Sequence, residues 1–343
     1  MTPADHLFVD RKHIPSVDGY VKYIFYTVSI FDKYYRGEAE AVELRHLRYF
    51  VAVAEEGSVT KAARRLNMEQ PPLSQQIRAL ETELGVRLFD RVAKRVVLNA
   101  AGRQFLEDAR HTLDSAAAAV TRVRRFDRGE QGHVACGFTS SASLHHLAPR
   151  LIRAFREAYP LATLDVEERE TFELLSGVEQ KRLDTAFVRT AGSRFPALGS
   201  HVLHEEEFVA ALPLDHALAT DVAPLALAAL MPERLVLYRR PDGVGIFDVL
   251  MDALRRTGFA PKVAEEVPRI ITAINLVAAG QGISLVPASM RALHTESVVY
   301  RELVKGSLPP MPLTLVYRRH DLSALVRNFI AVVRAACTEV ERR

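Results

Sequence analysis

With 343 residues and 48% hydrophobic content, the chain is long enough for two or three domains with packed cores. The formal net charge of +3 is concentrated in residues 44–128, which hold 16 Lys and Arg against 10 Asp and Glu, so a polyanion partner is expected for this segment alone. No apolar run of membrane length and no apolar leader occur, which argues against a membrane partner and an export signal. The two cysteines, Cys136 and Cys337, are too few for a disulfide framework, so a cytoplasmic protein is predicted.

Three helices are predicted at the start of the basic segment. Leu44–Glu56 carries apolar residues at helical spacing, and a shorter helix is predicted at 59–66. Asn67 tolerates the left-handed backbone of a tight turn, and Pro71 and Pro72 are expected in the first turn of the third helix, where proline fits. Its apolar stripe repeats from Leu73 onward, and three polar residues occupy the other side: Ser74, Gln75 and Arg78. This arrangement predicts a helix-turn-helix whose third helix contacts base edges or phosphates.

A wing is predicted at residues 88–98, where two short β-prone pieces flank a basic tip formed by Lys94 and Arg95. These two cations are placed to meet a phosphate or a minor groove. A single surface lysine is usually only solvated, but here the charges coincide with the helix-turn-helix pattern, which favours DNA contact.

One long helix is predicted at 100–127, with Asn99 as its N-cap. Its apolar residues are spaced three or four apart: Leu106, Ala109, Leu113, Ala116, Val120 and Val123. This heptad seam needs a partner helix, whereas a helix packed on its own chain would repeat nearer every 3.6 residues. We therefore expect dimerisation through this helix, and a hinge at the following residues 129–132.

From His133 onward, strands and helices alternate. Strands are predicted at 133–138, 162–167, 185–188, 207–212, 235–238, 283–286 and 313–318, and helices at 147–158, 171–181, 247–257, 270–279 and 322–337. This alternation predicts a parallel sheet with helices on its faces.

The residues resemble a known family. The run ELRHLRYFVAVAEEGSVTKAARRLNMEQPPLSQQIRALETELGVRLFDR is similar to the N-terminal domain of LysR-type transcriptional regulators. RLDTAF (182–187) and LVAAGQGISLVPAS (276–289) resemble segments of the same family, closest to the branch that regulates benzoate, catechol and chlorocatechol catabolism. The resemblance covers about residues 43 to 340.

The resemblance implies an α/β multidomain fold. It places a winged helix-turn-helix DNA-binding domain at 42–99, a linker or dimerisation helix at 100–128 and a two-lobed effector-binding domain, similar to periplasmic binding proteins, at 129–343. Lobe I would comprise 133–203 and 311–343, and lobe II 204–310. The family also implies a homotetramer, built from dimers joined by the linker helix, on an interrupted promoter dyad. Residues 1–41 have no counterpart in the family, so we expect an extension that is not native, with the natural start at Val42; peptide mapping of the native protein tests this.

Candidate contact residues follow from the resemblance by position. The DNA-binding residues are Gln70, Pro71, Ser74, Gln75, Arg78, Lys94 and Arg95. The effector-binding residues are Thr139, Ser140, Ser141, Thr171, Arg189, Ile246 and Phe247. Gln75 stands where relatives commonly have Arg or Lys, which predicts a different base preference. Hydroxyls and free N–H groups at a helix N-terminus suit a carboxylate, so the expected effector is a small acid. The resemblance implies that this acid is aromatic or a ring-cleavage product. Arg189 is equally consistent with a structural ion pair.

Other functions find less support. The chain has no nucleophile elbow, phosphate loop or spaced Cys/His cluster, so no enzyme, metal or cofactor is expected. His201 and His204 beside Glu205–Glu207 imitate a metal site, but a solvated strand edge explains them better, and His145-His146 is most simply a helix cap or surface. The main alternative is a periplasmic-type small-molecule binding protein without DNA binding, and a narrower one is an architectural DNA-binding protein without a ligand. The basic helix-turn-helix argues against the first alternative, and the hydroxyl-rich Thr139–Ser141 loop argues against the second.

Overall fold

The computed structural model describes residues 42–92, 95–190, 195–238, 246–258, 260–320 and 322–341. The chain divides into two compact units, Met1–Val120 and Thr121–Arg343. Within the described ranges, no helix is both long and apolar enough to cross a bilayer. The predicted extension at 1–41 lies outside the described residues.

The first unit contains the predicted helix-turn-helix and wing. Its elements are α1 (Leu44–Glu56), α2 (Val59–Arg65), α3 (Gln70–Glu83), the antiparallel hairpin of β1 (Phe89–Val92) and β2 (Arg95–Leu98), and α4 (Ala100–Asp127). Asn67 adopts the expected left-handed conformation, with φ 54°. Phe50 is fully buried at the centre of the core, with its ring centroid 5.3 Å from Phe89 and 5.0 Å from Phe105. The apolar faces of the three helices, the wing and α4 therefore share one core.

Helix α4 begins as predicted, because the Asn99 side chain accepts a hydrogen bond from the Gly102 amide over 2.8 Å. The first half of the predicted seam contacts the core of this unit, where Ala109 is 1% exposed. Further along, Val120 and Val123 are 51% and 69% exposed. Half of the seam is thus covered by its own chain, and the remaining half is left for another helix.

The second unit contains two lobes, of which lobe I is built on one five-stranded sheet and lobe II on a three-stranded and a two-stranded sheet. Lobe I has strands in the order β4-β3-β5-β12-β6. Its elements are β3 (Gln131–Phe138), α5 (Ser140–Ser143), α6 (Leu147–Ala158), β4 (Leu161–Glu168), α7 (Thr171–Glu179), β5 (Thr185–Val188), β6 (Leu198–Glu206), β12 (Met311–Arg318) and α10 (Ala324–Glu341). The core of lobe I lies between this sheet and helices α6 and α10, where Phe155, Phe187 and Phe329 are fully buried.

Lobe II follows the crossover after Glu206. Its elements are β7 (Phe208–Pro213), β8 (Arg234–Tyr238), α8 (Ile246–Arg256), β9 (Lys262–Val267), α9 (Ile270–Ala278), β10 (Ser284–Pro287) and β11 (Val298–Glu302), with short 3-10 helices at Ala217–Ala219, Leu227–Leu230 and Ala288–Ala292. Strand β7 pairs with β10 and β11, and β8 pairs with β9. The amide of Val236 donates to Ile283 O over 2.8 Å, which joins the two groups of strands.

Three expectations need correction. Neither lobe contains parallel pairs alone: β12 returns from lobe II and pairs antiparallel with β5 and β6, and β7 pairs antiparallel with both of its neighbours, whereas β8 and β9 are parallel. Strands β6, β9 and β11 were not predicted as strands, because each mixes polar and charged residues among its apolar ones. Strand β6 continues in the lobe I sheet to Glu206, so the crossover lies at Glu207 rather than at residue 204.

The predicted hinge after α4 is also packed rather than loose. Gly129 has φ +65° and lies so close to α10 that a Cβ atom would be 2.4 Å from the Leu325 amide nitrogen. The Asn328 side chain donates to the carbonyls of Arg128 and Gly129 over 3.0 and 3.1 Å. Strand β3 begins only two residues later, at Gln131. Helix α4 therefore ends directly against α10.

Candidate functional site

Helix α3 presents one buried and one polar face. Leu73, Ile77 and Leu80 are buried in the core of the first unit. The predicted DNA contacts are on the other side: Gln70, Pro71, Gln75 and Arg78 are exposed, and Ser74 is half-buried. Spacing of three and four residues places Pro71, Ser74 and Arg78 on one face of the helix. The structure thus leaves these five side chains together on one accessible surface.

Arg78 differs from Arg65 and Arg110, two arginines of the same unit that pair with a carboxylate. Glu55 accepts hydrogen bonds from Arg110 over 2.7 Å and from Arg65 over 2.8 Å, and these bonds hold the pKa of Glu55 below its ordinary value. Within the described part of the chain, Arg78 and Arg95 form no ion pair. Their charges are therefore not neutralised by a protein carboxylate, which suits contact with phosphate or base edges.

Glu81 fixes the wing to helix α3. Its carboxylate accepts hydrogen bonds from the amides of Leu88, over 2.7 Å, and Phe89, over 3.2 Å. On the other strand, the Val96 amide donates to Gly57 O over 3.2 Å. Arg95 is exposed at the start of β2, whereas Lys94 lies outside the described residues. Sequence analysis did not identify Glu81, because its partners are seven and eight residues away in a different element.

In lobe I, the predicted effector residues follow the carboxyl ends of parallel strands. Strand β3 pairs in parallel with β4 and β5, so the residues after the three strands meet at one edge of the sheet. Thr139–Ser141 follows β3, Thr171 lies three residues after β4, and Arg189 directly follows β5. The Thr139 amide donates to Phe187 O over 3.1 Å, and the Arg169 amide to Phe138 O over 3.1 Å.

The hydroxyl groups at this edge are buried. Thr139, Ser140, Ser141 and Thr171 are between 3% and 8% exposed. The Thr139 hydroxyl makes no hydrogen bond within the described part of the chain. Because a buried hydroxyl without a partner costs free energy, this oxygen is suited to receive a polar ligand.

Helix α7 already has acidic groups at its N-terminus. Glu170 and Glu173 form a capping box, in which the Glu170 amide donates to Glu173 Oε2 over 3.2 Å. The box satisfies the amide of Glu173, so the Thr171 hydroxyl and the first amides of α7 remain for a ligand. Because Glu170 and Glu173 are negatively charged, this helix end attracts an anion less strongly than the helix dipole alone would.

Arg189 forms a buried ion pair at the crossover between the lobes. Its side chain is 2% exposed and donates to the carboxylate of Glu206, which is 6% exposed. Arg189 Nη2 also donates to Ser141 O over 3.0 Å and to Ser289 Oγ over 3.3 Å. The Ser289 amide donates to Glu206 Oε2 over 2.6 Å. One guanidinium thus joins the hydroxyl-rich loop, the last residue of β6 and lobe II.

His145 is part of this buried region. Its ring is fully buried, with Nε2 3.7 Å from Glu206 Oε1, and Nδ1 accepts from the Leu147 amide over 3.2 Å. Burial, reinforced by the charge of Arg189, lowers the pKa of His145 to about 3. The expectation of a surface position is therefore wrong for His145, although its ring does accept from the first amide of α6, as a helix cap would. His146 is exposed.

His204 is half-buried on the edge strand β6, with its ring centroid 5.3 Å from that of His145. No group of three potential metal ligands with suitable geometry occurs among the described residues.

The lobe II contribution is described only in part. Ile246 and Phe247 begin helix α8, and nothing is described of their side chains or of residues 239–245. Among the described residues of lobe II, Ser289 contacts the site through Arg189 and Glu206, and sequence analysis missed it. Ser289 ends the segment 276–289, which resembles the family, but nothing in the sequence pairs Ser289 with Glu206, which is 83 residues away.

Comparison with known families and proteins agrees with this geometry. Residues 44–103 match the model of the bacterial regulatory helix-turn-helix protein, lysR family, and residues 127–338 match that of the LysR substrate binding domain. The chain is 37% identical over 289 residues to the uncharacterised HTH-type transcriptional regulator YnfL of Escherichia coli, covering 84% of this chain and 96% of that protein. It is 37% identical over 298 residues to the HTH-type transcriptional regulator TfdS of Cupriavidus pinatubonensis, covering 85% and 98%.

Solved structures give the same result. The crystal structure of CbnR, a LysR family transcriptional regulator, is 30% identical with a TM-score of 0.77, covering 85% of this chain and all of that one. Full-length CbnR complexed with its target DNA is 29% identical with a TM-score of 0.76, covering 86% of this chain and all of that one. The chain therefore belongs to the LysR family of oligomeric, DNA-binding transcriptional regulators, whose helix-turn-helix domain binds DNA and whose substrate-binding domain binds a small-molecule effector.

Proposed function

We propose that this regulator responds to a small carboxylate, an aromatic acid or a ring-cleavage product, bound at the carboxyl edge of the lobe I sheet. The observation that carries the proposal is the buried Thr139 hydroxyl without a partner, beside Ser140, Ser141 and Thr171. These groups offer hydrogen bonds to a carboxylate in a site from which water is largely excluded. The resemblance of residues 276–289 to the regulators of aromatic catabolism supports the aromatic class.

The signal travels through Arg189 in this proposal. A ligand carboxylate on the Thr139–Ser141 loop changes the position of the Ser141 carbonyl, which Arg189 holds together with Ser289. The relative position of the lobes then shifts, because the same guanidinium contacts both. The exposed half of the α4 seam joins two chains into a dimer, and dimers assemble into the tetramer that binds a promoter dyad. The protein acts in the cytoplasm and catalyses no reaction.

The effector site is tested by a thermal-shift screen of the full-length protein with benzoate, muconate and other small carboxylates. An acid at about one hundred times its dissociation constant adds about 2.7 kcal/mol to the stability of the domain it binds. Thr171→Val should abolish this shift and leave DNA affinity unchanged. Ser176→Ala, which removes a hydroxyl further along α7, is the matched control and should keep the shift. Equal shifts in wild type and Thr171→Val would remove Thr171 from the site.

The DNA surface is tested by operator binding as a function of salt. Arg78→Ala should weaken binding by about 1–3 kcal/mol, because its guanidinium is exposed on the polar face of α3 and forms no ion pair within the described chain. Arg45→Ala is the control, since Arg45 is exposed in the same unit but pairs with Glu43 at 2.8 Å. An Arg78→Ala protein that binds as tightly as Arg45→Ala would exclude Arg78 from the contact surface.

A further inference from the structure

The wing is held at its base by polar side chains from two helices of the first unit. Glu81 of α3 accepts hydrogen bonds from the amides of Leu88 and Phe89 over 2.7 and 3.2 Å. On the other side, the side chain of Asn99, the N-cap of α4, donates to Arg87 O over 2.7 Å. The base of the hairpin is therefore bonded to α3 through Glu81 and to α4 through Asn99.

The Leu88 amide depends on Glu81, because the strand ladder gives it no partner. Leu88 O accepts from the Asn99 amide over 3.0 Å, which makes these two residues a hydrogen-bonded antiparallel pair. The second bond of such a pair would run from the Leu88 amide to Asn99 O. That oxygen instead accepts from the Arg103 amide over 3.0 Å, in the first turn of α4. Leu88 is only 2% exposed, so without Glu81 its amide would be buried without an acceptor.

Strand β1 has little other support. Phe89 is half-buried, and the next three residues of the strand are exposed. At the far end of the hairpin, Val92 pairs with Arg95. Three residues at about 3.3 Å each put this end about 10 Å from the base, so a rotation of about 10° at the base moves Arg95 by about 2 Å. The bonds at Glu81 therefore determine where the wing cation lies.

The charge of Glu81 opposes DNA binding. Glu81 is half-buried on the same helix as Arg78, three residues further along. A negative charge at this place repels the phosphates, so its removal alone should strengthen binding. If Glu81 instead holds the wing in place, its removal should weaken binding. The two roles predict changes of opposite sign.

We propose that Glu81 is a positioning residue for DNA binding. It fixes the wing relative to α3, so that the wing cations and the polar face of α3 contact the same operator at once. This inference rests on the predicted wing contacts, Lys94 and Arg95, and gives Glu81 no contact with DNA of its own.

Operator binding by the full-length protein, measured by fluorescence anisotropy over a range of salt concentrations, tests the inference. The probe is a labelled duplex that the wild-type protein selects from a random-sequence pool. Lys94→Ala/Arg95→Ala should reduce the magnitude of the slope of log K against log salt by about 2, because two phosphate contacts are lost. Glu81→Ala should reduce it by about 1 and weaken binding about tenfold, although this variant removes a negative charge.

Matched variants separate the acceptor from the charge. Glu81→Gln removes the same charge and keeps an oxygen that accepts from the two amides, so it should bind within about threefold of the wild type. Glu107→Ala removes a carboxylate exposed on α4 and should keep the wild-type slope. In the Lys94→Ala/Arg95→Ala background, Glu81→Ala should change operator affinity no further, because Glu81 acts through the two cations. All variants are compared at a temperature at which circular dichroism shows them folded.

Three results would overturn the inference. They are wild-type affinity in Glu81→Ala, equal losses in Glu81→Ala and Glu81→Gln, and a further loss when Glu81→Ala is added to the double variant. An unchanged slope in Lys94→Ala/Arg95→Ala would refute the predicted wing contacts and the inference with them. A loss of affinity in Arg78→Ala would in that case still support the proposed DNA surface of α3.

Discussion

Arg189→Met should strongly destabilise the second unit, because it removes one partner of a buried ion pair. With Arg189 and Glu206 at 2% and 6% exposure, the variant leaves the carboxylate buried without its counter-charge. It also leaves Ser141 O and Ser289 Oγ without a donor that they have in the wild type. Breaking a buried pair in this way costs about 3–5 kcal/mol. For a unit of this size, each kcal/mol lowers the melting temperature by about 2–4 °C, so we expect a decrease of about 10 °C.

Differential scanning calorimetry of the full-length protein measures this loss, and the transition of the first unit should stay unchanged. Arg291→Met is the control: Arg291 pairs with Glu302 over 3.0 Å, but the two side chains are 43% and 62% exposed, so its loss should cost less than about 1 kcal/mol.

The double variant Arg189→Met/Glu206→Gln removes both charges and keeps an acceptor for the Ser289 amide. It should recover more than half of the lost stability. An Arg189→Met decrease no larger than that of the control, or a double variant no more stable than Arg189→Met, would refute the reasoning.

Two further substitutions test local packing and protonation. Gly102→Ala should destabilise the first unit by more than about 2 kcal/mol although alanine favours a helix, because its Cβ would be 2.1 Å from the backbone oxygen of Leu88. Gly177→Ala should cost less, because its Cβ would meet side chains alone, the guanidinium end of Arg182 at 2.5 Å and Leu183 Cδ1 at 3.2 Å. Equal losses of stability in the two variants, measured by urea denaturation, would contradict this. The pKa of His145 falls from its ordinary 6.5 to about 3 on folding, so the unfolded chain binds more protons there and stability decreases as pH falls below 6.5. Between pH 6.5 and 5.5, the free energy of unfolding of His145→Asn should therefore decrease by about 1 kcal/mol less than that of the wild type, as measured by urea denaturation. The same decrease in both proteins would show that His145 is not the group responsible.

The sequence predicted the first unit closely because its signals are local. Helices α1 and α4 have the predicted bounds, since apolar periodicity, Gly57 and the Asn99 cap determine where they begin and end. The anchoring of the wing was not predictable from the same signals. A glutamate at position 81 on a helix is ordinarily a solvated charge, and only the folded chain brings the amides of Leu88 and Phe89 to it.

The second unit was predicted less completely because its decisive contacts are long-range. The alternation of elements correctly indicated an α/β fold, but no local pattern tells that β12 returns antiparallel to β5 after a whole lobe has intervened. The same holds for Arg189, which was equally consistent with a ligand contact and an ion pair. Its partner Glu206 is 17 residues away at the end of an edge strand, and the structure shows the ion pair. The seven DNA-binding and seven effector-binding assignments stay predictions.

The close contact between the end of α4 and α10 determines where the effector domain can be cut from the chain. A fragment starting at Gln131, after the glycine that suggested a linker, would lose the two carbonyls that accept from Asn328 and the Phe126 ring beside Gly132. Its C-terminal helix would then expose apolar surface around Leu325, which favours aggregation during purification. A fragment that begins before Phe126 keeps this contact and is the better choice for crystallising the domain with an effector.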